Sequence, residues 1–372
     1  MSNRKTDIYI SADELRDIAM EILKKEGVPE SDAFITADCL VKANLRGIDT
    51  HGVIRLKVYV DRLRAGGNNP TPNIRVIHES ATTAVMDGDN GLGPPGGVSA
   101  MTKAVEKAQN SGISVVTMRN SNHYGAAAFY AMMALEHNMI GISMTNVLAG
   151  MPPTGGRQAR IGNNPFALAF PAGKELPIVF DAATSLSSWG KVFLAAQTDA
   201  LLAEGCFLDK DGNPTVNPED VISGGLLLPI AGYKGYGMAL CIGILTGLLA
   251  DGSFDIDVPH PYKYLDVPGA NSFFMAAIQI NQFVPIEQFK KRIDEIIRII
   301  RDTPIASNAE RIYLPGEKEH IAERERMAKG IPLNDETVEE LRTLAQETGV
   351  AYPSLRPRAG GERSNRAKPY LD

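Results

Sequence analysis

The feature that most constrains this chain is a change of hydrophobic period near residue 80. Before it, apolar residues recur at helical spacing. After it, short β-branched runs alternate with alanine-rich stretches, the pattern of βαβ units and a largely parallel sheet. Ser11-Ala-Asp-Glu14 is a capping box, and Leu15, Ile18, Ala19, Ile22 and Leu23 then hold one apolar stripe as far as Gly27. Pro29 to Asp32 restarts a helix that carries Ala33, Ala37, Leu40 and Val41. Asp49-Thr50 is the expected N-cap of a third helix, ending near Leu63 before Gly66-Gly67. Downstream, Ile113 to Met118 reads as a buried strand, Ala126 to His137 as a helix and Met139 to Thr145 as the next strand, one βαβ unit. Ile178 to Phe180 is a further strand. Met238 to Leu249 is apolar nearly all round and is expected to be buried, whereas Ile286 to Ile300 is amphipathic. The expected divisions are a helical region 1–75, an α/β region 76–285, a helical region 286–354 and a tail 355–372. That tail carries Arg356, Arg358, Arg363, Arg366 and Lys368 without an apolar period.

Composition removes several function classes. With 372 residues, 44% hydrophobic and 22% charged, the chain has the balance of an ordinary folded protein. Its formal charge of −6 and lack of a basic stripe disfavour nucleic acid as a partner. Cys39, Cys206 and Cys241 are far apart and in no CxxC pair, which disfavours a disulfide framework or thiolate metal site and fits a cytoplasmic protein. The N-terminus lacks an apolar targeting core, and the apolar stretches are broken before 18 residues, so no membrane partner is expected. No zinc-protease HExxH, phosphate-loop lysine, EF-hand or Gly-x-Ser-x-Gly elbow is present.

The chemistry-bearing residues begin with His51, Arg55 and Tyr59, at i, i+4 and i+8. A helix would align them, giving a proton donor, a fork that matches a carboxylate and a phenol, a set suited to a small oxo- or hydroxy-acid. The same spacing also describes an ordinary half-exposed polar face. His123, in Ser121-Asn-His-Tyr-Gly125, follows a strand end, where open α/β sheets place ligands; the alternative is a solvated or capping histidine. Asp181 ends another strand and could hold an imidazole in one tautomer or cap a helix. Gly91-Leu-Gly93-Pro-Pro-Gly96 matches a dinucleotide fingerprint, but Pro94 and Pro95 remove two donors that a pyrophosphate needs, so it reads as a decoy. Gly232-Tyr-Lys-Gly-Tyr-Gly237 opens the apolar helix, where Lys234 could meet an anionic cofactor or merely snorkel beside a packing turn.

Six ordered motifs together resemble the malate/L-lactate dehydrogenase family, which is distinct from the Rossmann dehydrogenases. They are Arg46-Gly-Ile-Asp-Thr-His51-Gly-Val-Ile-Arg55, Ser121 to Gly125, Gly162-Asn-Asn-Pro-Phe166, Phe180-Asp-Ala-Ala-Thr-Ser185, Gly232 to Gly237 and Pro315-Gly-Glu317. The resemblance implies a central mixed or parallel-sheet cofactor domain of unusual topology, with N- and C-terminal helical regions beside it. It implies NAD- or NADP-dependent interconversion of a small 2-oxo acid and 2-hydroxy acid by a homodimer. His51 would be the proton donor, with Thr50 and Asp181 as relay partners and His123 near nicotinamide and substrate. Arg55, Tyr59 and Asn146 would lie on the substrate side. His123, Tyr124, Gly125, Phe180, Asp181, Ala182, Thr184, Ser185, Ser187, Lys191, Tyr233, Lys234, Pro315, Gly316 and Glu317 would line the cofactor, without metal. Thr50 stands where many relatives have Ser, which keeps the hydroxyl but restricts its rotamer. The segment Met144 to Gly156 lies where relatives vary with substrate. Two other readings use the same residues: a metal-assisted lyase or aldolase acting through His51, His123 and Asp181, and a non-catalytic binding protein that has kept the pocket.

Overall fold

The computed structural model describes residues 8–352, so the expected tail at 355–372 lies outside the described residues. In chain order the elements are β1 (Ile8–Ile10), α1 (Ala12–Lys25), α2 (Glu30–Leu45), α3 (Leu56–Ala65), β2 (Arg75–Glu79), β3 (Thr83–Asp87), α4 (Gly93–Ser111) and β4 (Ile113–Ser121). There follow α5 (Ala127–Met133), β5 (Met139–Thr145), β6 (Phe166–Phe170), β7 (Ile178–Ala182), α6 (Trp189–Gln197), β8 (Phe207–Leu208), α7 (Pro218–Ile222) and β9 (Leu226–Leu227). The last are α8 (Tyr233–Thr246), β10 (Asn271–Gln279), α9 (Ile286–Arg301), α10 (Glu317–Lys329), β11 (Ile331–Leu333) and α11 (Asp335–Thr348).

The Ser11–Glu14 capping box forms as expected, and α1 buries Leu15, Ile18, Ala19, Ile22 and Leu23. These residues share a core with α2, α3 and the α11 residues Val338, Leu341 and Leu344. The short antiparallel pair β1·β11 ties the segment before α1 to the segment before α11. Truncating a fully buried leucine here, such as Leu40, removes contacts worth about 2–5 kcal/mol.

The central sheet has seven strands in the order β2-β3-β4-β10-β5-β6-β7. It is mixed, and the expectation of a largely parallel sheet is corrected: β3·β4 is the one parallel pairing in it and the other pairs are antiparallel. β4, α5 and β5 do follow one another, but β10 inserts between the two strands, with Met275 opposite both Val116 and Ser143. Because β10 opposes both, β4 and β5 run the same way; two further antiparallel steps give β7 that direction too. The C-terminal ends of β4, β5 and β7, which carry His123, Asn146 and Asp181, therefore meet one edge of the sheet. The alanines of α4 and α5 let these helices settle close to it. At Gly141 a Cβ would lie 2.0 Å from the Ala131 carbonyl, so α5 sits on β5 at a distance that only glycine permits.

A third core, which the sequence pattern did not announce, joins Met151, Ile161, Val192, Phe207, Val221 and Ala239. The expectation that Met238 to Leu249 is buried also needs correction. Gly235, Ala239, Ile242 and Gly243 of α8 face the protein, but Met238, Ile244, Leu248 and Leu249 are 40–55% exposed. The 18 residues Tyr233–Ala250 are also long and apolar enough, by length and composition alone, to cross a membrane, contrary to the expectation of shorter runs. A single helix of this kind, with one face packed on its own protein, is common in folded cores.

Candidate active site

The His51 helix expected from the i, i+4, i+8 spacing does not form. Asp49–His51 and Val53–Arg55 are separate 3₁₀ turns, and α3 begins only at Leu56. Asn44 of α2 is the cause. Its Oδ1 accepts from Val53 N at 2.8 Å while its Nδ2 donates to Asp49 Oδ1 at 2.7 Å. Gly52 lies extended against it, where a Cβ would fall 2.2 Å from Asn44 Oδ1. Asp49 does not act as an N-cap; its carboxylate receives Arg326 of α10 at 2.6 and 3.0 Å.

The three side chains nevertheless converge with His123. The His51 and His123 rings stack at 5.5 Å between centroids, and Tyr59 Oη lies 2.7 Å from His123 Nδ1. Thr50 Oγ1 lies 3.0 Å from His51 Nδ1. Arg55 Nε donates to the Thr50 carbonyl at 2.7 Å, and its Nη1 donates to Tyr262 Oη. Arg55 forms no ion pair with an acidic side chain among the described residues. Burial and the Arg55 charge push the His51 imidazole down to about 4. Burial pushes His123 well below its ordinary value, and Arg55 and His51 add to the shift. Both rings are therefore neutral at pH 7. An anion beside Arg55 would cancel the charge that opposes their protonation.

A cleft opens beside this cluster. Arg55, Tyr59 and His123 form its polar wall, and Val58, Val147, Leu148, Val258 and Pro259 its apolar one. Tyr262, not anticipated from the sequence, enters it from the loop between α8 and β10; the signal was an aromatic-rich His260-Pro-Tyr-Lys-Tyr264 run. Asn146, expected on the substrate side, is fully buried. It donates to the Ser253 carbonyl at 2.8 Å and accepts from Ser272 N at 2.8 Å, so it holds strand ends together beneath the cleft.

Asp181 accepts from Ala128 N at 2.8 Å in the first turn of α5, where burial lifts its carboxyl to about 6 against the opposing pull of that N–H. Its hydrogen bond goes to the helix and to neither imidazole. The ligand set of the metal-assisted reading is thus not assembled, and among the described residues no group of three His, Cys, Asp or Glu side chains is placed to hold an ion.

Segments of the expected cofactor set adjoin one another in pairs along β7 and the chain after it. Val179 N donates to the Pro315 carbonyl at 3.1 Å, laying Pro315-Gly316-Glu317 against β7. Ile230 N donates to the Thr184 carbonyl at 2.9 Å, which brings Tyr233 and Lys234 at the start of α8 beside the end of β7. Ser185 Oγ donates to the Ser187 carbonyl at 2.6 Å. A Cβ at Gly190 would meet Thr50 Cγ2 at 3.3 Å, so the segment holding Ser187 and Lys191 borders the His51 turn. The Thr184 hydroxyl is buried without a partner, and Lys191 and Lys234 are exposed and form no ion pair among the described residues. Phe180 is 41% exposed, with its ring packed edge-on against Phe166 and Ala182 half-buried on the same strand.

Two members of that set are corrected. Tyr124 is 1% exposed, stacked between Tyr130 at 4.6 Å and Phe273 at 4.7 Å, so its ring belongs to the core and cannot touch a cofactor. The Glu317 carboxylate is buried, receives Arg311 and accepts from Leu314 N at 3.1 Å, which leaves it closing its own helix N-terminus. Gly125 adopts φ +83° behind His123, with Cys39 Sγ where a Cβ would stand, and serves the turn. The decoy reading of Gly91 to Gly96 fits the structure: Pro94 and Pro95 lie in the first turn of α4, and a Cβ at Gly93 would fall 2.2 Å from the His123 carbonyl. Gly93 permits a close approach of protein to protein and leaves no room there for a pyrophosphate.

A family profile described as malate/L-lactate dehydrogenase matches residues 10–342. The chain is 42% identical to a malate dehydrogenase of Pyrococcus horikoshii, over 92% of this chain and 96% of that protein. A solved sulfolactate dehydrogenase of Methanocaldococcus jannaschii superposes with a TM-score of 0.86 at 36% identity, over 92% of this chain and 98% of the other. A malate dehydrogenase structure from Entamoeba histolytica gives a TM-score of 0.89 at 32% identity, over 93% of this chain and 99% of the other. With a matching profile along most of its length and full-length relatives in sequence and structure, this chain belongs to the malate/L-lactate dehydrogenase family.

Proposed function

We propose that the chain is an NAD- or NADP-dependent 2-hydroxyacid dehydrogenase that works on a small carboxylate substrate in the cleft beside His51 and His123. The observation that carries this reading is Arg55: a guanidinium without an acidic partner among the described residues, facing two neutral imidazoles at the edge of a sheet. That arrangement lacks one anion, and a substrate carboxylate supplies it. The relatives support the class, since malate, sulfolactate and ureidoglycolate in their names are all 2-hydroxy acids. No feature favours the lyase reading.

A bound nicotinamide accepts or supplies the hydride. The Thr184 hydroxyl, buried without a partner among the described residues, the exposed Lys191 and Lys234 and the start of α8 would hold that group. His51 moves the proton. With its Nδ1 donating to the Thr50 hydroxyl, Nε2 takes the proton of a 2-hydroxy acid on oxidation and returns it to the oxo oxygen on reduction. Tyr59 holds the His123 ring by its Nδ1, leaving the other nitrogen for the substrate side. Asp181 shapes the cofactor edge by fixing the start of α5. The exposed apolar surface formed by Met238 and Ile244 of α8 and by Leu248 and Leu249 of the turn after it favours the homodimer.

Mixing the protein with NADH or NADPH and a panel of 2-oxo acids, and following the nicotinamide absorbance, tests the proposal and selects the cofactor. Oxidation of either cofactor with one of these acids is expected; none with any acid, in either direction, rejects the reading. Arg55→Lys is expected to raise KM for the acid by about tenfold or more, because an ammonium cannot reproduce a bidentate fork. An unchanged KM would remove the carboxylate role from Arg55.

A further inference from the structure

Arg62 is 3% exposed, although it lines the cleft one helical face along from Arg55. All its donors are taken by neutral acceptors from separate parts of the chain. Its Nε donates to Asn68 Oδ1 at 3.1 Å. Its Nη1 donates to the carbonyls of Tyr264 at 2.8 Å and Pro261 at 3.4 Å. Its Nη2 donates to the carbonyls of Val267 at 2.7 Å and Gly67 at 3.3 Å, and to Asn122 Oδ1 at 3.2 Å. The residue thus joins three segments: α3, which carries Tyr59 and starts directly after Arg55; Asn122, the neighbour of His123; and the 261–267 loop, which puts Tyr262 onto Arg55.

We propose that Arg62 is a positioning residue that clasps the 261–267 loop over the cleft and so fixes Tyr262 against Arg55. The inference rests on the reading of the cleft as the acid site. A buried guanidinium is costly, and here the cost is offset by the charge of Asp266 in the same loop and by satisfying several backbone carbonyls at once, which no other side chain can do in one plane. Close contacts agree: a Cβ at Gly67 would fall 2.0 Å from the Leu265 carbonyl, and one at Gly269 would fall 2.2 Å from Asn122 Oδ1. Gly269 N also donates to that oxygen at 3.1 Å, so the loop's exit is held by the same amide that Arg62 holds.

The test is Arg62→Lys, which keeps the charge but has three donors and no plane. KM for the acid is expected to rise by about tenfold or more, with kcat changed far less and NADH or NADPH affinity unchanged. Amide hydrogen exchange in 260–269 should quicken while exchange in α1 and α2 stays as in the wild type. An unchanged KM together with unchanged exchange in the loop overturns the proposal, as does a loss of protection spread evenly over the protein. If Arg62→Lys does not fold, Gly269→Ala decides, because it leaves Arg62 in place and forces Asn122 from the loop. It should raise the same KM, and a wild-type KM and wild-type loop exchange in it overturn the clasp. A wild-type protein inactive with every 2-oxo acid would instead reject the acid-site reading, and the loop exchange would still decide the clasp.

Discussion

Replacing His51 with alanine is expected to lower kcat by about 10²–10⁴, the range for loss of a positioned general acid or base, in both reaction directions. The His51 ring has no hydrogen bond to Thr184, Lys191 or Lys234, the side chains proposed to hold the cofactor, so NADH or NADPH affinity, read by fluorescence titration, should stay near the wild-type value. The cost arises because hydride transfer to a 2-oxo carbon leaves a developing alkoxide with no proton source of matched position. His123 is not a ready substitute. Its Nδ1 is held by Tyr59, and burial with the Arg55 charge also opposes protonation of its ring. The companion change Thr50→Ala keeps the imidazole but removes its Nδ1 partner at 3.0 Å, and should cost less than His51→Ala. Wild-type turnover in His51→Ala would shift the proton-transfer role to another group. A loss confined to cofactor affinity would give His51 a binding role instead.

What could be read from the chain follows the range of the forces involved. Helices α1 and α2 and the strand Met139–Thr145 were legible because local sequence pattern, with a capping box at α1, defines them. The sheet order was not, because β10 begins at Asn271 yet pairs with β4 and β5, a long-range register that no local window contains. The site shows the same division. The residue types and spacing of His51, Arg55 and Tyr59 singled out side chains that do converge, but not along the one continuous helix face expected: Asn44 breaks the helix, and the side chains meet through the fold. Tyr124 sits inside the right motif and points the wrong way, since only Tyr130 and Phe273, distant or hidden in the pattern, decide where its ring goes. Arg62 carried a readable sign. It is a charge beside Val58, Tyr59 and Leu63 on the buried side of α3, and a charge there needs partners.

The pH dependence of the two directions should differ, and in a stated sense. His51 in the free protein is pushed down from 6.5 to about 4, first by burial and then by the Arg55 charge. A lowered value means that the folded chain binds fewer protons at this site, so at pH 7 about one molecule in 10³ carries the imidazolium. Reduction of an oxo acid needs that form. Its kcat/KM, which reports the free enzyme, is expected to rise about tenfold for each pH unit lowered between about 7 and 5. Oxidation needs the neutral ring, so its kcat/KM should be flat over the same window and fall only toward pH 4. A substrate carboxylate on Arg55 cancels the Coulombic part of the shift, so kcat for reduction should break at a higher pH than kcat/KM does. The same linkage bears on stability. An unfolded chain takes up protons on His51 and His123 below about pH 6.5 while the folded one does not, so Tm should decline as pH falls from there and activities below that point need a stability control. A reduction kcat/KM that stays level between pH 5 and 8 would show that His51 is protonated in the free enzyme. An oxidation rate that falls as pH drops through 6.5 would instead place the His51 titration at its ordinary value, and either result would leave Arg55 and burial without the effect assigned to them.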